Sequence, residues 1–151
     1  MNIAISDQQK KIKLNLESIT YNFKKWLKIL KMQQAEISIL FTDDKYICQL
    51  NKSFRGVNKP TDILAFSMRE RKEQADPLPP HSELLGDLVV SVNTIERQAK
   101  TNQVEFEAEM NFILLHGLLH LLGYDHKYKT DSMRMSNLHK ILLQTAKKVR
   151  E

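Results

Sequence analysis

The chain has a single cysteine, Cys48, among 151 residues, so no disulfide can form within it. A scaffold stapled by bridges is excluded, and a reducing compartment fits. Cys48 itself reads as a small buried hydrophobe rather than a nucleophile. No run of 18 apolar residues occurs, so no membrane span is expected. The stretch Met1-Asn2-Ile3-Ala4-Ile5-Ser6-Asp7 lacks a basic patch followed by a long apolar core. No signal peptide is therefore visible, and a cytoplasmic location is expected. Internal repeats and low-complexity tracts are also missing, which sets aside solenoids and biased tails.

What is present is a length suited to one domain, expected to span 1–151, with 42% hydrophobic and 27% charged residues. The net charge of +5 favours a polyanionic partner such as nucleic acid. Lys24, Lys25, Lys28 and Lys31 read only as the solvated face of a helix. That helix runs over 16–32, where Leu16, Ile19, Phe23, Trp26, Leu27 and Leu30 recur at three- and four-residue spacing. Trp26 falls on its apolar face and reads as core. Strands are expected over 2–6, 35–42, 62–68 and 87–92. Asp43 is expected to cap a helix over 44–54, and Asn93 a short one ending near 101. The segment 55–60 is a loop, because Pro60 disfavours helix at Lys59 and Gly56 supplies backbone freedom. The proline-rich stretch 69–82 reads as a mobile loop. A last helix is expected over 131–149. The pattern predicts an α+β fold, a small mixed β-sheet packed with helices.

The helix expected over 105–122 differs from the others. Phe112, Ile113, Leu114, Leu115, Leu118, Leu119, Leu121 and Leu122 cover most of its circumference, which marks a central, buried helix. His116 and His120 stand on it four residues apart, so two imidazoles share one face. Gly123 allows the left-handed turn that ends a helix, and the chain can return His126 to the pair. Three neutral imidazoles leave one position of a tetrahedral ion open, as in catalytic sites. One divalent ion is therefore expected on His116, His120 and His126. Zinc is favoured; nickel, copper and iron also accept imidazole. Protonation of free imidazole near pH 6.5 would weaken such a site. The spacing equals that of the metzincin proteases, so a zincin-like arrangement is expected. Gly117, however, stands where those proteases carry their glutamate base. Asp125 is either a hydrogen-bond acceptor for a ligand imidazole or a turn residue.

These residues resemble the YbeY family of bacterial rRNA maturation endoribonucleases. Its blocks stand here as Leu50-Asn51, Phe54-Arg55-Gly56, Pro60-Thr61-Asp62-Ile63-Leu64-Ala65-Phe66, Leu85-Gly86-Asp87-Leu88-Val89-Val90-Ser91 and His116 to His126. The match runs in order from about Leu50 to Met135. Ala65 stands where serine is commoner. His139 stands where a glutamate is frequent, and reads as a surface residue of the last helix rather than a fourth ligand.

The resemblance implies a cytoplasmic, zinc-dependent, single-strand-specific endoribonuclease. Its partners would be small-subunit rRNA and the ribosome, in rRNA maturation and ribosome quality control. It further implies that Arg55 is required. A guanidinium suits the charge that develops on a scissile phosphate. The competing reading of Arg55 is a loop-fixing ion pair with Asp62. Lys59, Lys127, Lys129 and Arg134 flank the motifs and are candidates for the RNA backbone. Two rival functions remain open at this point. One is a ribosome-assembly factor with a structural metal, and the other is a metal hydrolase with a non-RNA substrate.

Overall fold

The computed structural model describes residues 1–68, 83–123 and 129–150, with backbone alone for 83 and 129–135. Four strands and five helices follow in the order β1 (Asn2–Asp7), α1 (Leu16–Ile29), β2 (Ala35–Thr42), α2 (Asp44–Arg55), β3 (Ile63–Ser67), β4 (Glu83–Ser91), α3 (Val92–Asn102), α4 (Phe106–Leu121) and α5 (Lys129–Leu143). The sheet order is β1-β2-β4-β3. β1 and β2 are parallel, as are β2 and β4, while β3 runs antiparallel to β4. The expected mixed sheet is thus present.

Alternation decides which face of the sheet is covered. Ile37, Ile39 and Phe41 on β2 are buried, with Leu88 and Val90 of β4 beside them. They meet Phe23, Trp26 and Leu27 of α1 and the leucines of α4 in one core. The other face is partly covered by α2, through Ile47 against Leu64 and Val89. Burying such side chains contributes roughly 1.5–3 kcal/mol each before the entropy cost of ordering them. Trp26 is core, as expected, and its indole N–H donates to the Leu142 carbonyl at 3.0 Å.

Several boundaries differ from expectation. α3 is capped by Ser91, not Asn93; the Asn93 side chain instead accepts from the Asp44 backbone N–H at 3.0 Å. A capping residue here serves the start of a neighbouring helix. β4 begins at Glu83 rather than Asp87, because β2 already pairs with it there, Ala35 opposite Glu83 and Glu36 opposite Leu84. α5 ends at Leu143, where Thr145 turns its hydroxyl and its N–H onto the Leu142 carbonyl. Val149 lies beyond the helix in a tail that bonds to Asn15 and bridges Leu14 through Arg150. Cys48 is half-buried, not core, with Sγ 3.5 Å from Asn58 Oδ1. The expected loop 69–82 lies outside the described residues.

Candidate active site

α2 places Arg55. Asp43 caps its N-terminus by accepting from Tyr46 N–H at 2.9 Å, as the sequence predicted. Gly56 closes its C-terminus at φ 71, a left-handed turn that glycine adopts without a Cβ penalty. The helix therefore ends at Arg55 and leaves the guanidinium exposed. Asn51, buried one turn earlier, donates its amide to the Lys59 carbonyl at 2.9 Å and pins the loop that follows.

α4 places the histidines. His116 and His120 sit one turn apart and half-buried, with their Nε2 atoms 2.9 Å from each other. Their rings are 4.5 Å apart and nearly perpendicular. Two nitrogens that face each other at this distance can share one proton or turn both lone pairs to one ion. Zinc–nitrogen bonds of about 2.0–2.1 Å at a tetrahedral angle need nitrogens about 3.3–3.4 Å apart. A few tenths of an ångström of ring movement would suffice, so the pair fits such an ion. His126 and Asp125 lie outside the described residues. Among the described residues no group of three or more His, Cys, Asp or Glu is placed to hold a metal.

Gly117 explains how α4 comes so close to the sheet. A Cβ there would stand 2.5 Å from Ile63 Cδ1 and 3.0 Å from Leu88 Cδ2. This position is packed against β3 and β4, where any side chain would have to displace the ends of Ile63 and Leu88. Ser67 at the end of β3 donates its hydroxyl to the Leu121 carbonyl at 3.1 Å and ties strand to helix again.

The C-terminus of α2, the start of β3 and the outer side of α4 enclose a cleft of about 760 Å³. Arg55, Asp62, His116 and His120 all line it. Lys59 does not; it is exposed, and its carbonyl is used by Asn51. Lys127 is outside the described residues, as are the side chains of Lys129 and Arg134. Asp62 Oδ1 accepts from the Ile63 N–H at 2.7 Å and from the Thr61 hydroxyl at 3.4 Å. Among the described residues Asp62 forms no ion pair with Arg55, so the loop-fixing reading of Arg55 has no support.

Two features escaped the sequence. His139 is buried, 6% exposed, rather than on the surface. Its Nε2–H donates to the Phe112 carbonyl at 3.1 Å, and its ring lies 4.4 Å from the Phe112 ring. Burial pulls this imidazole below the usual histidine range, and the hydrogen bond to Phe112 only partly restores it. Phe112 was counted with the apolar circumference of α4, yet it is 46% exposed and lines the cleft with Phe54. A helix apolar all round gives no periodicity from which to tell its one open side.

A family model described as endoribonuclease YbeY matches residues 4–147. The endoribonuclease YbeY of Syntrophus aciditrophicus is 39% identical over 128 residues, which are 84% of this chain and 77% of that protein. Its counterpart in Shouchella clausii is 41% identical over 118 residues, 75% and 73% of the two chains. The solution structure of a Thermotoga maritima protein superimposes with a TM-score of 0.62 at 26% identity, covering 94% of this chain and 87% of that one. With a family model spanning nearly its whole length and relatives near 40% identity, the chain belongs to the endoribonuclease YbeY family.

Proposed function

We propose that this chain is a single-domain, zinc-dependent endoribonuclease that cuts single-stranded RNA, acting on small-subunit rRNA in maturation and in ribosome quality control. Family membership supports the reaction class and the rRNA-processing role. The observation that carries the site is the meeting of an exposed arginine with two convergent imidazoles in one cleft. His116 and His120 would hold the ion, with His126 as third ligand in a zincin-like arrangement. Asp62, and Asp125 beside the third histidine, would orient ligands or substrate.

When bound, the ion would supply a water of lowered pKa and a Lewis acid. The chain's own part is positional and electrostatic. Arg55 would grip a non-bridging phosphate oxygen and offset the charge that builds on it in the transition state. Arg55 is exposed and forms no ion pair among the described residues, so no such pair would have to be broken for it to take a phosphate. Product ends identify the nucleophile: a cyclic phosphate means attack by the RNA 2′-hydroxyl, and its absence means water. Lys59 would contact RNA backbone outside the cleft. Among the described residues no helix is long and apolar enough to cross a membrane. A cytoplasmic location is part of the same proposal.

The peptidase alternative loses ground to the packing of Gly117, which leaves its position without a general base. The test of the proposal is metal content of the purified protein beside a His120→Ala control, followed by RNA cleavage with and without chelator. Near-stoichiometric zinc lost in the control, and cleavage lost on chelation, are the expected results. Cleavage that survives complete metal removal would sink the mechanism. Full ribosome-assembly function in a folded, metal-free His116→Ala protein would move the reading to a scaffold whose metal is structural.

A further inference from the structure

The cleft has three phenylalanines that the proposed chemistry does not use, and two of them, Phe54 and Phe112, are strongly exposed. Phe54 is 66% exposed, more than any other large hydrophobic residue among the described residues, and immediately precedes Arg55. Phe112 is 46% exposed and stands one turn before His116 on α4. Single exposed hydrophobics are ordinary on a protein surface. Both of these, however, line the same cleft as Arg55, His116 and His120.

Both rings are also backed by another ring. Phe54 packs edge-on against Phe66, with centroids 5.2 Å apart at 68°. Phe112 lies 4.4 Å from the buried His139 ring. It is also within 9° of parallel to His116, with centroids 6.3 Å apart. Each aromatic plane is therefore fixed from one side while much of it stays open to the cleft. The Phe112 mount is hydrogen-bonded as well, through His139 Nε2–H and the Phe112 carbonyl.

We infer that Phe54 and Phe112 are nucleobase-stacking platforms that hold unpaired bases on either side of the phosphate at Arg55. This rests on the proposed RNA substrate and names what selects its single-stranded form. The cation that lines the same cleft as the two rings suits the phosphate, and the rings suit the bases attached to it. Stacking is indifferent to base identity, because every base has a π-face. In a duplex those faces are taken up by neighbouring base pairs, so the platforms would accept only splayed nucleotides. Phe54 and Phe112 thus act as specificity residues, outside the bond-breaking step.

The test uses the full, metal-loaded protein and a nuclease-resistant 2′-O-methyl phosphorothioate oligomer. 2-Aminopurine is placed at successive positions, and a duplex of the same sequence serves as comparison. Phe54→Leu and Phe112→Leu keep an apolar side chain but remove the ring, and Phe54→Trp and Phe112→Trp restore one. Each Leu variant should weaken single-strand binding by roughly five- to hundredfold. Each should also abolish the fluorescence quenching at one oligomer position and shrink the preference over duplex. The Trp variants should recover all three, and zinc content should match the parent throughout. Leu variants that bind, quench and discriminate like the parent would overturn the inference and leave the proposed activity standing. A parent protein that binds no single-stranded oligomer would overturn both.

Discussion

Arg55 carries the sharpest residue-scale prediction, because it is exposed, lines the cleft and makes no ion pair among the described residues. Arg55→Ala should lower kcat on RNA by about 10²–10³-fold, the usual loss for one charge-stabilising donor. Its thermal midpoint should match the parent. Arg55→Lys should recover only part of the rate, since an ammonium keeps the charge and loses the fork. Steady-state kinetics beside thermal melts check both, and an unchanged rate in Arg55→Ala would remove Arg55 from the reaction. Its candidacy came from the family resemblance of the block Phe54-Arg55-Gly56, and the structure adds that it lines the cleft. Phe54 and Phe112 were not legible as open surface, because hydropathy cannot say which apolar side chain is left uncovered. His139 misled for the opposite reason. A histidine on a polar helix reads as exposed until a partner carbonyl, here that of Phe112, is found for it.

Two contacts tie neighbouring elements together. The first is the close approach of α4 to β3 and β4 at Gly117. Gly117→Ala puts a methyl group where Ile63 and Leu88 already stand. Overpacking of this kind costs about 1–3 kcal/mol. At roughly 2–4 °C per kcal/mol for a chain of this size, thermal melts would resolve it. An unshifted midpoint would mean that the side chains of β3 and β4 yield freely.

The second contact joins α2 to α3. Asp44 accepts hydrogen bonds from Ser91 at 2.7 Å, Thr94 at 2.6 Å and Arg97 at 2.6 Å. Burial pushes its carboxyl up, but the bonds from Arg97, Thr94 and Ser91 and the Arg97 charge outweigh burial. The net effect holds Asp44 below the ordinary carboxylate value. A group lowered on folding stabilises the protein above its unfolded pKa, and that contribution fades as pH falls through the folded value. Denaturant midpoints should therefore drop on acidification below about pH 4, less steeply in Asp44→Asn. A variant with the parent's slope would assign the acid loss to other groups. At this scale the elements were largely legible, since β2, α2 and α4 follow their periodicity to within a residue or two. The cap of α3 was not, because Ser91 and Asn93 are equally good caps and only the neighbouring α2 decides between them.

On the scale of the whole molecule, binding of the ion should be visible in stability. An ion that binds the folded chain and not the unfolded one stabilises it by about 2.7 kcal/mol at a hundred times its Kd. Zinc added to chelator-treated protein should thus raise the thermal midpoint by several degrees, and His116→Ala should remove the rise. Identical midpoints with and without zinc would argue against a folded-state site. The sheet and its core were readable from alternation and helix periodicity. The way the tail closes the molecule was not, because it depends on contacts between residues more than a hundred positions apart.

Those distant contacts bear on the order in which the chain is made. Asn22 of α1 is buried, and its amide bonds to Asn111 at 3.2 Å and to the Lys147 carbonyl at 3.0 Å. Its own carbonyl oxygen accepts from Lys147 N–H at 2.7 Å. Trp26 waits on Leu142 in the same way, and Leu14 on Arg150. During synthesis from the N-terminus, α1 emerges long before any of these partners. Its buried amide cannot make its two bonds to Lys147, nor its indole the bond to Leu142, until residues 142–150 have cleared the exit tunnel. Closure of the core therefore waits on residues 142–150 in this protein, and a nascent chain halted short of Lys147 would present an unclosed core to chaperones and proteases.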